Sequence, residues 1–117
     1  MSYVIYVYGT LRPGGEDTVQ VPGQLFNLGW YPGAKLGGES TFTCERVEVD
    51  SLDRFDLFES YDENNHSRSL YIRRPYEDGW IYEYNFRTSL DNLIESGDWL
   101  EHTGQKKGAR SDLLLPA

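Results

Sequence analysis

A compact α+β domain built on a small barrel-like sheet is what the sequence predicts, and three observations carry that prediction. Tyr3 to Tyr8 alternate strictly, with Val4, Tyr6 and Tyr8 on one face and Tyr3, Ile5 and Val7 on the other, so a strand with two apolar faces is expected there. Asp78-Gly79 stands between two further runs rich in β-branched and aromatic residues, a strong hairpin signal. At Asp50 the periodicity changes: Leu52, Phe55 and Phe58 recur every three residues, as on one face of a helix.

Taken in order, the opening strand runs into Gly9, where the chain turns, and Arg12 to Asp17 is a polar turn. Val19 to Leu28 is predicted as a second strand, bulged or bent at Pro22-Gly23. Gly29 to Leu36 is expected as a short irregular strand or loop across a barrel mouth, and Gly37-Gly38 as a turn. In the strand Thr41 to Val49 the apolar spacing falls out of step between Cys44 and Val47, which predicts a second bulge. The helix that follows spans roughly ten residues, N-capped by Asp50 with Asp53 in its first turn, and its apolar face seals one side of the sheet. Asp62 to His66 is an exposed loop, and Ser69 to Tyr76 with Trp80 to Arg87 form the hairpin. Thr88 or Ser89 caps a short helical turn through Leu93, Trp99 and Leu100 fold back onto the sheet, and a basic tail from about residue 105 is expected to be mobile.

Composition narrows the function. A length of 117 residues fits one domain with one core, without repeat or linker. Nine Tyr, five Phe and three Trp supply core volume, and tyrosine hydroxyls suit the wall of a polar pocket. The formal net charge of −8 argues against nucleic acid or an anionic membrane, both of which need a basic footprint. No stretch reaches the roughly 18 apolar residues of a membrane-spanning helix. Cys44 is the sole cysteine, so no internal disulfide forms and the expected compartment is the cytoplasm. Cys44 itself reads as a small core residue, and His66 and His102 have no metal-ligand spacing, so neither metal nor cofactor is expected.

Two places have chemical promise. If the amides of Gly9, Thr10 and Leu11 converge after the first strand, they form a nest of partial positive charge suited to a carboxylate or oxyanion; otherwise they make an ordinary strand end. Glu59 follows the apolar residues of the predicted helix at its C-terminus. Helix dipole and aromatic surroundings there both disfavour its anion and push its pKa up toward the range of a general base; alternatively it is the first solvated residue after the helix. Asp53 and Asp56 read as solvated helix face. Arg12 and Arg73 read either as carboxylate-steering groups or as exposed strand-end charges.

Tyr8-Gly9-Thr10-Leu11-Arg12, then Pro22 to Gly29 with Tyr31-Pro32-Gly33-Ala34, Asp56-Leu57-Phe58-Glu59-Ser60-Tyr61, Tyr71-Ile72-Arg73 and Ile94 to Trp99 follow one another as in the γ-glutamylcyclotransferase-like (AIG2-like) family, which the chain resembles over nearly its whole length. The resemblance implies a small mixed β-barrel with one main helix against it, and a cavity between the Tyr-Gly-Thr-Leu turn and a single catalytic glutamate. Carried over, Glu59 is that glutamate and Tyr8, Gly9, Thr10 and Leu11 are the substrate-binding turn, with Tyr8, Tyr71 and Tyr82 as candidates to line the pocket. The implied activity cyclises a γ-glutamyl conjugate to 5-oxoproline. A non-catalytic module binding the same kind of small ligand is the alternative. Two departures stand out: Ser60 occupies a position where many relatives have glycine, and Arg12 to Glu16 lacks the Gly-Gln-Pro-Asn-like continuation of the γ-glutamylamine branch.

Overall fold

Five strands form one mixed sheet in the order β2-β3-β1-β5-β4 in the computed structural model, which describes residues 2–14 and 17–104, Phe58 by its backbone only. The tail expected from about residue 105 lies outside the described residues. The strands are β1 (Tyr3–Val7), β2 (Thr18–Asn27), β3 (Pro32–Val49), β4 (Tyr71–Tyr76) and β5 (Gly79–Tyr84). The helices are α1 (Leu52–Phe58) and α2 (Trp99–Thr103), with 3₁₀ turns at His66–Arg68 and Leu90–Asn92. β1 is central, antiparallel to β3 and parallel to β5, where Ile5 lies opposite Trp80. Ile5, Tyr6 and Val7 are all buried, so both faces of β1 are covered, which is why both are apolar.

β3 differs from expectation and shapes the molecule. Its segment from Pro32 to Leu36, expected to be an irregular mouth strand, pairs in register with Gly23 to Asn27. Gly37-Gly38 does not reverse the chain. Leu36 faces Gly23 while Thr41 faces Pro22, so Gly37 to Ser40 loop out of a single bent strand, with Gly37 and Gly38 both at positive φ. The bulge expected at Pro22-Gly23 is this same irregularity seen from β2. Gly23 has φ +151, and a Cβ there would stand 2.4 Å from the Lys35 carbonyl oxygen, so only glycine lets the two backbones approach. Beyond the bend, the first limb of β3 leans over β5: the Lys35 ammonium donates to the Tyr84 carbonyl (2.7 Å) and the Leu36 N–H to the Glu83 carboxylate (2.8 Å). The sheet is thereby curled into a half-barrel.

Between Cys44 and Val47 there is no bulge; Val49 to Glu45 pair evenly with Tyr3 to Val7. The phase break in the sequence arises because Thr43 and Glu45, as well as Phe42 and Cys44, are buried, so both faces of the strand are covered there. Glu45 occupies an inward position as a charged residue. Cys44 is wholly buried, and burial pushes its thiol far above the usual range, so it stays a neutral packing atom.

The hairpin expected around Asp78 is present, with Tyr76 opposite Gly79 and Glu77 at φ 48 in the turn. Ser89 caps its 3₁₀ turn through the Asp91 N–H, and Trp99 and Leu100 are buried. Among the described residues no helix is long and apolar enough to cross a membrane.

Candidate active site

α1 is shorter than the spacing suggested, seven residues, and its N-cap is Ser51 rather than Asp50: Ser51 is extended and its hydroxyl accepts from the Arg54 N–H. Leu52 and Phe55 pack on the core, whereas Leu57 is turned to solvent. The C-terminus is closed by a Schellman motif. The Tyr61 N–H donates to the Asp56 carbonyl (2.8 Å) and the Ser60 N–H to the Leu57 carbonyl (3.2 Å), and Ser60 takes the left-handed conformation the motif requires, φ 54. Ser60, one of the two departures noted in the sequence, thus sits where the backbone favours glycine. Glu59 is the C-cap held between helix and motif, and it is 1% exposed. Its reading as the first solvated residue is thereby excluded.

Three tyrosines, Tyr8, Tyr71 and Tyr82, feel the charge of that carboxylate. Tyr8, just past β1, is buried, and its hydroxyl donates to the Tyr82 carbonyl (2.5 Å) and accepts from the Ala34 N–H (3.3 Å). Burial first, then the negative charge of Glu59, push its phenol well above the ordinary value. Tyr71, at the start of β4, donates to the Pro32 carbonyl (2.6 Å); burial, then Tyr8, then Glu59 raise its pKa. Tyr82, in β5, is raised by burial, by its hydrogen bond to Asp56 and by Glu59, with Arg73 opposing. All three phenols therefore remain neutral hydrogen-bond donors at neutral pH, and each lies within electrostatic reach of Glu59.

Gly9, Thr10 and Leu11 follow Tyr8 in a tight turn closed by the Arg12 N–H on the Gly9 carbonyl (3.0 Å). Gly9 and Thr10 are buried and Leu11 half-buried. Arg12 is neither exposed nor free to steer a substrate. It is 4% exposed, its Nε donates to Glu45 (2.8 Å) and its Nη1 to Asp98 (2.8 Å), while the Gly14 N–H also reaches Glu45 (3.1 Å). Asp98 at the same time caps α2. The turn is thus tied to β3 on one side and to α2 on the other.

Asp56 and Arg73 also depart from the expected reading. Asp56 is not solvated helix face: one carboxylate oxygen accepts from the Tyr82 hydroxyl (2.6 Å) and the other from Arg73 (2.6 Å). The Arg73 guanidinium lies between the rings of Tyr61 (5.4 Å) and Trp80 (4.9 Å). Helical spacing placed Asp56 three residues from Glu59, hence on a neighbouring face, and that was the available signal. Asp53 is exposed as expected. A groove of about 610 Å³ elsewhere is lined by Asn27 to Gly29, Tyr31, Tyr84, Asp91 to Leu93 and His102, none of them among the expected site residues. Tyr84 connects the two regions, its ring edge-on to Tyr71 at 5.6 Å.

With this geometry in view, comparison with known proteins is informative. Residues 5–101 match the model of the family described as gamma-glutamyl cyclotransferase, AIG2-like. A Vibrio cholerae protein, provisionally named as a gamma-glutamylcyclotransferase, is 33% identical over 115 residues, covering 86% of this chain and 98% of its own. The family protein YtfP of Escherichia coli K12 is 32% identical over 109 residues, covering 83% of this chain and 96% of its own. Two crystal structures share the fold. PH0828 of Pyrococcus horikoshii has a TM-score of 0.64 at 22% identity, with 86% of this chain and 92% of that one aligned. YkqA of Bacillus subtilis has a TM-score of 0.63 at 24% identity, with 88% of this chain aligned to 41% of that longer one.

Proposed function

Because this chain belongs to the gamma-glutamyl cyclotransferase, AIG2-like family, we propose that it cyclises a small γ-glutamyl conjugate to 5-oxoproline and releases the amine, with Glu59 as general base and acid. The substrate's own α-amine attacks its γ-carbonyl carbon, so the new C–N bond closes a five-membered lactam as the bond to the departing nitrogen breaks. No enzyme nucleophile or water takes part, and no cofactor is called for. What the protein contributes is conformation: well-oriented intramolecular attack corresponds to effective molarities of about 10⁵–10⁸ M.

The α-ammonium must lose a proton before it can attack, and α-amino groups titrate near pH ~8, so a sheltered carboxylate is an adequate acceptor. Glu59 takes that proton from the α-nitrogen and hands it to the departing one. Backbone N–H groups of Gly9, Thr10 and Leu11 hold a substrate oxygen, where one oxyanion donor is typically worth about 3–4 kcal/mol. Tyr8 and Tyr71 wall the site with their rings, their hydroxyl protons being given to the Tyr82 and Pro32 carbonyls, and the Tyr82 hydroxyl is held by Asp56. A cytoplasmic setting suits the lone, buried thiol.

The observation that carries this reading is the shelter of Glu59: an acid 1% exposed, held as the C-cap of a helix, with the buried Tyr8, Tyr71 and Tyr82 within electrostatic reach. The test is incubation of the purified protein with a panel of γ-glutamyl amines and amino acids, with 5-oxoproline as readout. Wild type releases it from at least one compound. Glu59→Gln, nearly isosteric, keeps the melting temperature and ligand binding and loses about 10²–10⁴-fold in kcat. A Gln variant with wild-type kcat removes Glu59 from the mechanism; binding without 5-oxoproline release from any compound leaves a binding module instead.

A further inference from the structure

We propose that Asp56 is a positioning residue, joining the helix that carries Glu59 to the strand whose carbonyl fixes Tyr8, and so setting the base against the Gly9 turn. The inference rests on the reading of Glu59 given above. It starts from a side chain that does two things at once. Asp56 accepts from the Tyr82 hydroxyl and from the Arg73 guanidinium, both at 2.6 Å, one on each oxygen. The pair is sheltered, with 15% and 18% of the two side chains exposed, a setting in which a charge-assisted bond is stronger than on the open surface.

The connection continues on both sides. Arg73 is held against the rings of Tyr61 and Trp80, so its guanidinium is a fixed partner rather than a mobile one. Tyr82 carries the link onward through its backbone: its carbonyl receives the Tyr8 hydroxyl at 2.5 Å, and the next residue after Tyr8 is Gly9. On the helix, the Asp56 carbonyl receives the Tyr61 N–H of the motif that orients Glu59. Asp56 is therefore linked to both halves of the site, through its side chain to Tyr82 and by way of that residue's carbonyl to Tyr8, and through its main chain to the helix end, with each carboxylate oxygen engaged by a protein donor. Tyr82 accordingly serves the site through its hydroxyl on Asp56, not as a substrate contact.

Kinetics and a structural readout together test this. Asp56→Asn keeps the side-chain volume and an oxygen acceptor but loses the charge that holds Arg73. The expected result is a fall of about 10²-fold in kcat, the scale of an ångström-sized misplacement, with KM within about twofold of wild type. The Glu59 carboxyl-carbon NMR resonance, assigned by its disappearance in Glu59→Gln, shifts in Asp56→Asn and stays in place in Asp53→Asn, whose residue is exposed on the same helix. Tyr82→Phe, which removes only the hydroxyl, reproduces both effects and replaces Asp56→Asn in every arm if that variant does not fold. A rise in KM with kcat held assigns these groups to substrate binding and overturns the proposal. So does an unmoved Glu59 resonance with wild-type kcat. If wild type itself yields no 5-oxoproline, the cyclisation reading fails, and the resonance alone decides whether Asp56 positions Glu59.

Discussion

Ser60 holds a conformation that disfavours a side chain, and it does so beside the residue on which the proposed chemistry turns. A left-handed φ of 54 costs an L-residue about 1–2 kcal/mol. Glycine would relieve that cost but give back roughly 0.5–1 kcal/mol in unfolded-chain entropy. Ser60→Gly is therefore expected to stabilise the fold by up to about 1 kcal/mol, read as a higher midpoint in urea; a lowered midpoint would show that the serine side chain contributes more than its backbone costs. At Arg12 the balance is larger. Arg12→Ala leaves Glu45 buried without its guanidinium, and breaking such a pair typically costs about 3–5 kcal/mol, to be measured by the same titration. The place of Glu59 at the helix end was legible in the sequence because the three-residue apolar spacing stops just before it, at Phe58. Asp56 was not, because periodicity tells which face a residue occupies and says nothing of an arginine seventeen positions on that reaches back to it.

At the scale of elements, the β4–β5 turn makes a prediction of its own. Hydrogen bonds from Arg46 and from the Tyr6 hydroxyl hold the Asp78 carboxyl down at about 2. Its folded pKa lies below its unfolded one, so the stabilisation is present above pH ~4 and is lost as pH falls toward that value. Asp78→Asn should thus lower the melting temperature at neutral pH, and the gap to wild type should close between pH ~4 and ~2; a gap independent of pH would assign the effect to turn conformation. The hairpin itself was readable from Asp78-Gly79. Gly37-Gly38 was misread as a reversal because a glycine pair signals positive φ, which serves a looped-out bulge as well as a turn. The supposed bulge after Cys44 came from apolar spacing alone, which leaves out Glu45; its partner Arg12, far away in the chain, permits it to point in.

For the whole molecule, the buried phenols have a joint consequence. Tyr8, Tyr71 and Tyr82 have folded pKa values above the unfolded 10.0, so their contribution is complete below pH ~10 and is lost as pH rises beyond it. Alkaline titration should show phenolate absorbance from these residues appearing only with cooperative unfolding; smooth ionisation of every tyrosine around pH ~10 in folded protein would contradict the burial described. Strand content and the main helix followed from local pattern, but strand order did not, since the Ile5 to Trp80 pairing leaves no mark on either segment alone. That pairing has a further effect on how the polypeptide is made. During translation β1 emerges before β3 and β5: it can zip to β3, yet its other edge has no partner until β5 has left the ribosome. Until then the nascent chain carries a bare strand edge, the situation in which chaperones and crowding decide between yield and aggregate.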